Sequence, residues 1–266
     1  MLRTLTTALI ALAPLTGWAQ ALSLEEAVAS ELRTPANVER DPFRNPIETL
    51  KYYDVKPHHH VVEIWPGRGW YSEILAPYLK DQGQYYAAHF PATSSVNFYR
   101  NMRLKFDEKI KQTPALFDKT IVTDFAPPDE VDIAPEGTID RVLTFRNVHN
   151  WMKSDSDQAA FNAFFKALKP GGILGVVEHR AKPKTDKDTT VKSGYVTEEY
   201  VKTIATNAGF LWVSASDINA NQKDTTDHPK GVWTLPPTLR LGDEKRDYYT
   251  DIGESDRMTL RFLKPN

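Results

Sequence analysis

The first group of residues that could carry out chemistry follows a predicted strand at 141–145. Asn147, His149 and Trp151 lie close together in a short segment after that strand. A histidine can take a proton from a nucleophile near neutral pH, and a tryptophan ring can bind a cation on its face. In the structural alternative, the imidazole bonds a backbone group and the indole packs under the following helix. The spacing leaves both open, and we take His149, with Asn147 beside it, as the catalytic candidate.

A second group follows the next predicted strand, at 173–177. Glu178, His179 and Arg180 could act as an acid, a base and an anion clamp. An internal salt bridge explains these charges nearly as well. Because ligands of parallel sheets bind beyond the carboxyl ends of the strands, we place His179 on the same ligand-facing edge as His149.

A glycine-rich turn follows an earlier strand and is suited to hold a ligand through its backbone. Residues 61–65 form a short apolar run that ends in Pro66-Gly67-Arg68-Gly69. Glycines at 67 and 69 permit a close approach and positive φ angles, and amides at the start of the next helix attract a carboxylate or phosphate. The alternative is a tight turn that serves packing alone.

This segment resembles the first motif of class I S-adenosylmethionine-dependent methyltransferases, in which an acidic residue, here Glu63, precedes the glycine-rich turn. The segments 145–151 and 167–172 are similar to the fourth-strand and Leu-Lys-Pro-Gly-Gly segments of small-molecule methyltransferases. Within that superfamily the chain looks closest to exported, predicted methyltransferases, a likeness carried by Asn45-Pro46, Trp70-Tyr71, Ile74-Leu75-Ala76-Pro77 and the segment 261–265. The resemblance covers nearly all of residues 22–266.

The resemblance implies S-adenosyl-L-methionine as the cofactor and a small molecule as the substrate. It assigns the cofactor site to Glu63, Trp65, Gly67, Gly69, His89 and Asp124. Two of these depart from the family pattern. Trp65 stands where the family has its first glycine, which narrows the cleft. His89 ends the second strand in place of an acid that pairs with the ribose hydroxyls, and a neutral imidazole lacks the two acceptor oxygens of a carboxylate.

Three functions follow from these residues. The first, implied by the resemblance, is methyl transfer to a small molecule, achieved by orienting an already activated methyl group. The second is a small-ligand-binding protein that keeps the methyltransferase scaffold without catalysis, which the missing ribose acid favours. A hydrolase or lyase built from Glu178, His179 and His149 ranks third, because the chain has no cysteine and no Gly-x-Ser-x-Gly motif to supply a nucleophile.

Composition narrows the partners and the metals. The 33 basic and 35 acidic residues give a net charge of -2, which opposes a nucleic-acid partner. The lack of cysteine excludes cysteine-ligated zinc. The three adjacent histidines at 58–60 cannot converge on one ion, because neighbouring residues entering a strand point to opposite faces, so we expect a solvated turn there and no metal site. The oligomeric state is not determined by the sequence.

The N-terminal segment 1–21 has the features of a signal peptide. Arg3 precedes the apolar run 5–15, and Ala19-Gln20-Ala21 provides the small-x-small cleavage pattern. A membrane anchor is the alternative, but the run is shorter than the roughly 20 apolar residues of a spanning helix. No later segment is apolar enough to span, and we expect a periplasmic or secreted protein.

The elements that position these residues alternate along the chain. A helical cover over 22–57, starting at the Ser23–Glu26 capping box with a helix of two to three turns, precedes a domain over 58–266. Residues 217–256 form a lid or long excursion before the last strand. The pattern predicts a Rossmann-like α/β methyltransferase fold, with helices on both faces of a mostly parallel seven-stranded sheet. The predicted strands are 61–65, 85–88, 120–123, 141–145, 173–177, 210–214 and 258–262, and the main helices are 46–53, 71–79, 159–168 and 198–208.

Overall fold

Seven strands form one sheet in the computed structural model, which describes residues 22–266. They are β1 (His60–Ile64), β2 (Gln84–His89), β3 (Ile121–Asp124), β4 (Ile139–Phe145), β5 (Leu168–His179), β6 (Leu211–Ser216) and β7 (Arg257–Leu263). Their order in the sheet is β3-β2-β1-β4-β5-β7-β6. β1 to β5 pair in parallel, whereas β7 is antiparallel to both neighbours. The predicted fold class is confirmed, and the signal-peptide prediction lies outside the described residues.

Eleven α-helices flank this sheet in the described part of the chain. They are α1 (Leu24–Val28), α2 (Pro35–Val38), α3 (Pro46–Tyr52), α4 (Ser72–Leu79), α5 (Asn97–Gln112), α6 (Pro114–Phe117), α7 (Val148–Lys153), α8 (Asp157–Ala167), α9 (Lys187–Ser193), α10 (Glu198–Asn207) and α11 (Arg246–Ile252). Two short 3-10 helices cover Asp41–Phe43 and Gly231–Thr234. None of the helices in residues 22–266 is both long enough and apolar enough to cross a membrane.

The first helix is shorter than predicted. Ser23 and Glu26 do form the capping box, with the Glu26 amide donating to Ser23 Oγ at 3.2 Å. However, α1 ends at Val28. There the Arg33 guanidinium donates to the Val28 carbonyl at 2.7 Å, in place of a backbone amide from a further helical turn. The predicted two to three turns are therefore wrong, although the start of the helix is correct.

The core consists of two apolar layers, one on each face of the sheet. Alternate side chains of β1 divide between them, with Val62 and Ile64 in one layer and Val61 in the other. The first layer packs against α8 through Phe161 and Phe164. Each fully buried aliphatic or aromatic side chain contributes about 1.5–3 kcal/mol, so the layers fix the strands whose carboxyl ends carry the predicted site.

Helix α5 was not predicted, and it lies against the turn after β1. Only Phe106 among its 16 residues is buried, although Tyr99, Met102, Phe106 and Ile110 recur at helical spacing and could have identified the helix in the sequence. Phe106 packs against Gly69 of the turn, and Met102 lies next to Gly67. The Arg103 guanidinium donates to the Phe90 carbonyl, just after β2, at 2.9 Å. α5 therefore covers the carboxyl ends of β1 and β2.

The N-terminal segment and the long segment before β7 meet on the opposite part of the same edge. Arg40 and Arg44 donate to Glu254 at 2.6 and 3.3 Å. The Asn45 side-chain amide donates to the Ile218 carbonyl at 2.7 Å. Asn45, expected to cap α3, makes no capping bond and adopts a φ of 42° instead. The roles of these two segments as a cover and a lid stay predictions.

Candidate ligand site

A buried histidine–glutamate pair joins the carboxyl ends of β4 and β5. Glu178 is fully buried, and one of its oxygens lies 3.1 Å from His149 Nδ1. Its other oxygen accepts from the Val148 amide at 2.6 Å. A carboxylate oxygen of Glu178 accepts this hydrogen bond from Nδ1, so Nε2 is the ring nitrogen that Glu178 does not engage. This geometry permits the predicted role of His149 as a base.

His179 lies beside this pair. The two imidazole centroids are 5.4 Å apart, and His179 Nδ1 shares a short hydrogen bond with Ser255 Oγ. Burial, assisted by the positive charges of nearby histidine and arginine side chains, lowers the pKa of His179 well below its usual value and keeps the ring neutral at neutral pH. The structure therefore brings the two predicted histidines together. Ser255 was missed because it lies 76 positions further along the chain.

Three other candidates have structural contacts. Asn147 Nδ2 donates to the Ile64 carbonyl at 2.9 Å and so ties β4 to β1. Trp151 is fully buried in the apolar layer under the sheet. Arg180 forms a double hydrogen bond with Asp256, at 2.8 and 2.9 Å. These contacts favour the structural alternatives for all three, and the catalytic role of Asn147 stays a prediction.

Four arginines surround one glutamate next to the histidines. We call the arginine cluster the side chains of Arg40, Arg44, Arg146 and Arg257. Glu254 accepts from Arg40 at 2.6 Å, from Arg44 at 3.3 Å and from Arg257 at 2.8 Å. Burial alone would raise the pKa of Glu254, but the guanidinium groups outweigh burial and hold it at about 2. Glu254 is therefore ionised at any physiological pH.

Arg146 connects the arginine cluster to the histidines. It directly follows β4, with a φ of 64°, and its amide donates to the Val177 carbonyl at 2.7 Å. Burial lowers the pKa of Arg146 to about 10, so its guanidinium is still charged at neutral pH. No sequence pattern distinguishes Arg146 within the 145–151 segment, because its neighbours in the cluster come from distant parts of the chain.

Residues of the 217–256 segment pack around the same site. The Trp233 ring lies 5.9 Å from the His149 ring. Asp224 is buried and accepts from the Tyr195 hydroxyl at 2.8 Å, and the Tyr195 ring lies 6.2 Å from that of His179. The segment thus supplies side chains around both histidines.

The two histidines and Glu178 have the composition of a metal site. Their ligand atoms lie within 4.8 Å of one another. A cation is opposed there by the nearby positive charge of the arginine cluster, and both Glu178 oxygens already accept hydrogen bonds. We therefore interpret the group as an acid–base and ligand-binding site. Of the histidines at 58–60, His59 is buried, contrary to the expected solvated turn, because its Nδ1 accepts from the Lys56 amide at 3.2 Å.

The predicted cofactor cleft lies on the other side of β1. Gly67 and Gly69 have φ angles of 63° and 79°, as a backbone cradle requires. Glu63 is buried, and it accepts from Ser72 Oγ at 2.8 Å and from the Tyr85 hydroxyl at 2.6 Å. Burial raises the pKa of Glu63 to about 7. The carboxyl group is thus bound to the scaffold rather than directed to a ligand.

Trp65 fills the cleft with its own side chain. It adopts a φ of 45°, a conformation that favours glycine, and its indole donates to the Phe125 carbonyl at 2.8 Å. The ring packs against Phe90, Trp151 and Tyr99, with centroid separations of 4.5, 5.2 and 5.8 Å. These aromatic groups come from the segments that follow β1 and β2, from α5 and from α7, and they pack around the indole next to the glycine-rich turn.

The remaining cofactor candidates also bind within the chain. His89 is fully buried, and its Nε2 lies 3.0 Å from the Gly67 carbonyl. Burial lowers the pKa of His89 to about 4, so it is neutral and donates to that carbonyl. Asp124 forms an ion pair with Arg103 of α5. The structure brings His89 close to the turn and engages its ring there, whereas the exposed Asp124 carboxylate is paired through one oxygen only.

Comparison with known proteins identifies the fold. No protein-family model matches this chain, and no curated protein matches it. Similar solved structures include a SAM-dependent methyltransferase from Aquifex aeolicus, with 13% identity over 91% of this chain and 99% of that chain and a TM-score of 0.57. The 4+2 cyclase SpnF has 15% identity over 91% of each chain and a TM-score of 0.56. Geranyl diphosphate methyltransferase in complex with SAM has 10% identity over 90% and 94% and a TM-score of 0.55. This chain therefore has the class I methyltransferase fold.

The residues of the cleft do not fit S-adenosylmethionine in this conformation. The backbone cradle is present, but Trp65 and its aromatic neighbours fill the space beside it. A β-carbon on Gly69 would lie 3.0 Å from Phe106, so α5 leaves little room above the turn. Binding of the cofactor would require the Trp65 side chain to leave the cleft.

Proposed function

We propose that this chain is a small-molecule-binding protein built on the class I methyltransferase fold. Its ligand would bind at the carboxyl ends of β4 and β5, beside His149 and Arg146. The observation that carries this proposal is the aromatic filling of the neighbouring cleft by Trp65. Because the indole occupies that cleft, we infer that the ligand contacts the histidines and the arginine cluster at this edge instead.

The fold does not oppose this proposal. A fold hosts many functions, and activity depends on the groups of the site. Among the similar structures, SpnF is named a cyclase although others are named methyltransferases. In our proposal, His149 Nε2 accepts a hydrogen bond from the ligand, and Trp233 packs against its apolar part.

A ligand screen tests this proposal. The purified chain is heated with neutral, cationic and anionic small molecules, and compounds that raise the melting temperature are titrated by calorimetry. We expect a binder whose affinity falls at least about tenfold in His149→Gln and is unchanged in the control Arg68→Gln. Arg68 is an exposed residue of the turn after β1. If no compound binds, or if His149→Gln binds as well as the wild type, the proposal is wrong.

A second candidate is S-adenosylmethionine-dependent methyl transfer to the same small molecule. The positive φ angles of Gly67 and Gly69 favour it, together with the likeness to methyltransferase structures. It requires Trp65 to act as a movable gate. The fold alone does not establish the cofactor. The two candidates predict different affinities for S-adenosylhomocysteine, and this property can be measured.

Calorimetry with S-adenosylhomocysteine separates the candidates. We compare the wild type with Trp65→Gly, which removes the indole and suits the positive φ, and with the control Phe98→Ala on the exposed face of α5. Binding by the wild type would place methyl transfer first. Binding by Trp65→Gly alone would identify a cofactor cleft that the tryptophan closes.

We also propose that the protein is periplasmic or secreted. The proposal rests on the sequence pattern of residues 1–21. Cell fractionation and N-terminal sequencing test it, with a mature chain that starts after Ala21 as the expected result. Uncleaved protein in the cytosol would contradict it.

A further inference from the structure

The arginine cluster contains more positive charge than its own carboxylate neutralises. Three of its guanidinium groups share the single carboxylate of Glu254. The fourth, from Arg146, is close enough for its charge to lower the pKa of Arg44. Glu178 of β5 already accepts from the His149 ring and three backbone amides. Buried charge is costly unless it is paired, so the cluster would be stabilised by a further anion.

Several donors of the cluster have no acceptor. Arg44 is 3% exposed, yet its Nη2 has no hydrogen-bond partner among residues 22–266. Arg40 Nη2 is buried and unpartnered in the same range. Leaving a buried donor without a partner costs about 1–3 kcal/mol, and more when the group is charged. These donors are available to an acceptor that arrives from outside the chain.

Space for that acceptor lies beside the cluster. Arg257 is the member of the cluster that lines a cavity of about 250 Å³, together with Glu254 and Ser255, whereas the other three arginines lie outside its lining. Its volume is several times the roughly 30 Å³ that a water molecule occupies in the liquid. Because Ser255 also bonds His179, the cavity adjoins the candidate ligand site.

We propose that the ligand of this site carries a carboxylate or phosphate group, which the free donors of Arg44, Arg40 and Arg146 bind. Guanidinium groups recognise both oxyanions through paired, charge-assisted hydrogen bonds. The rest of the ligand would lie toward His149. This inference rests on the function proposed above and adds the chemical class of the ligand.

The experiment measures thermal unfolding and calorimetric titration with two probes, inorganic phosphate and succinate. Chloride maintains a constant ionic strength, so that general screening does not differ between samples. The proteins are the wild type, Arg146→Gln and the control Arg68→Gln, which removes the same charge from the turn after β1. Arg146→Gln should fold, because the Arg146 side chain makes no hydrogen bond within residues 22–266. Arg146→Lys provides a second variant that keeps the charge but loses the planar fork.

We expect saturable stabilisation of the wild type by at least one probe, and the stronger probe identifies the oxyanion. Arg146→Gln should bind it about tenfold to a hundredfold more weakly, and Arg146→Lys should also lose affinity, whereas Arg68→Gln should match the wild type. Equal binding by Arg146→Gln and the wild type would overturn the inference. So would a neutral or cationic ligand that depends on His149 while neither oxyanion binds, a result that leaves the proposed function intact. If no compound of any class binds, both are wrong.

Discussion

The two clefts at the carboxyl edge of the sheet differ in how their polar groups are satisfied. In the cleft beside β1, Glu63, His89 and Asp124 all bind partners within the chain, and Trp65 fills the remaining space. In the site beside β4 and β5, buried arginine donors lack partners and positive charge exceeds the charge of Glu254. The first cleft has the backbone conformation of a binding site. The second contains buried arginine donors without hydrogen-bond partners among the described residues.

This difference shows why a backbone motif and a functional site must be judged separately. A glycine turn keeps its positive φ angles even when side chains occupy the space that the turn faces, since the turn also connects β1 to α4. Unpartnered buried donors have no comparable structural purpose, because they cost free energy in the ligand-free protein. The unpartnered donors therefore support the proposed ligand site on the β4–β5 side.

The largest expected effect concerns His149 if the methyltransferase alternative holds. With a methyl acceptor identified, His149→Ala should lower turnover by about 10² to 10⁴, because the variant has no base to accept a proton in the transition state. Affinity for the cofactor should be unchanged. Steady-state kinetics measure this effect, with Phe98→Ala on the exposed face of α5 as the control. Full turnover by His149→Ala would remove acid–base chemistry from the β4–β5 site.

Replacement of the indole tests the filled cleft. Trp65→Ala should reduce the free energy of unfolding by about 3 kcal/mol, since it leaves a void among Phe90, Tyr99 and Trp151. Urea unfolding provides the measurement. The control Phe98→Ala lies on α5 next to Tyr99, but its side chain is 64% exposed. It should change stability by less than about 0.5 kcal/mol. A similar small change in Trp65→Ala would mean that the cleft is open in solution.

The sequence predicted the strands because buried parallel strands form short apolar runs. β1 and β4 were located within two residues, as were the turn at Gly67 and the start of α10, whereas β5 begins at Leu168, five residues before its predicted start. Helix α5 was missed although Tyr99, Met102, Phe106 and Ile110 recur at helical spacing, because charged and polar residues dominate it and only one of its side chains is buried. Such elements are fixed by tertiary contacts, which a local pattern does not contain.

The site was predicted only in part, for a related reason. His149, Glu178 and His179 follow strands, so the topology alone brings them to one edge. The arginine cluster depends on Arg44 meeting Glu254 from 210 positions away. The sequence indicated that Trp65 narrows the cleft, but its partners Phe90 and Tyr99 lie on other segments and were not apparent.

The buried acid of the cleft gives a pH test. Burial raises the pKa of Glu63 from 4.5 to about 7, so the native state holds the proton more tightly than the unfolded state. This contribution to stability is complete below pH 4.5 and is lost as the pH rises to about 7, by about 3 kcal/mol at most. Glu63→Gln removes the titration, so its unfolding free energy should decline less than that of the wild type over this range. If the unfolding free energies of the wild type and Glu63→Gln changed in parallel with pH, Glu63 would contact solvent, as in an open cleft.

The smallest expected effect concerns Asp124. Its replacement distinguishes a surface ion pair from a contact with the cofactor. Its side chain is 46% exposed and pairs with Arg103, which keeps Asp107 as a second partner at 2.9 Å. Exposed ion pairs contribute less than about 1 kcal/mol and weaken with salt. Asp124→Asn should therefore destabilise the protein by less than that amount in dilute buffer, and the difference should vanish in concentrated salt. The decisive measurement adds Asp124→Asn to Trp65→Gly and repeats the titration with S-adenosylhomocysteine. Unchanged affinity would leave Asp124 as a surface partner of α5, whereas a loss of tenfold or more would show that the opened cleft still recognises the nucleoside and would move the functional centre back toward β1.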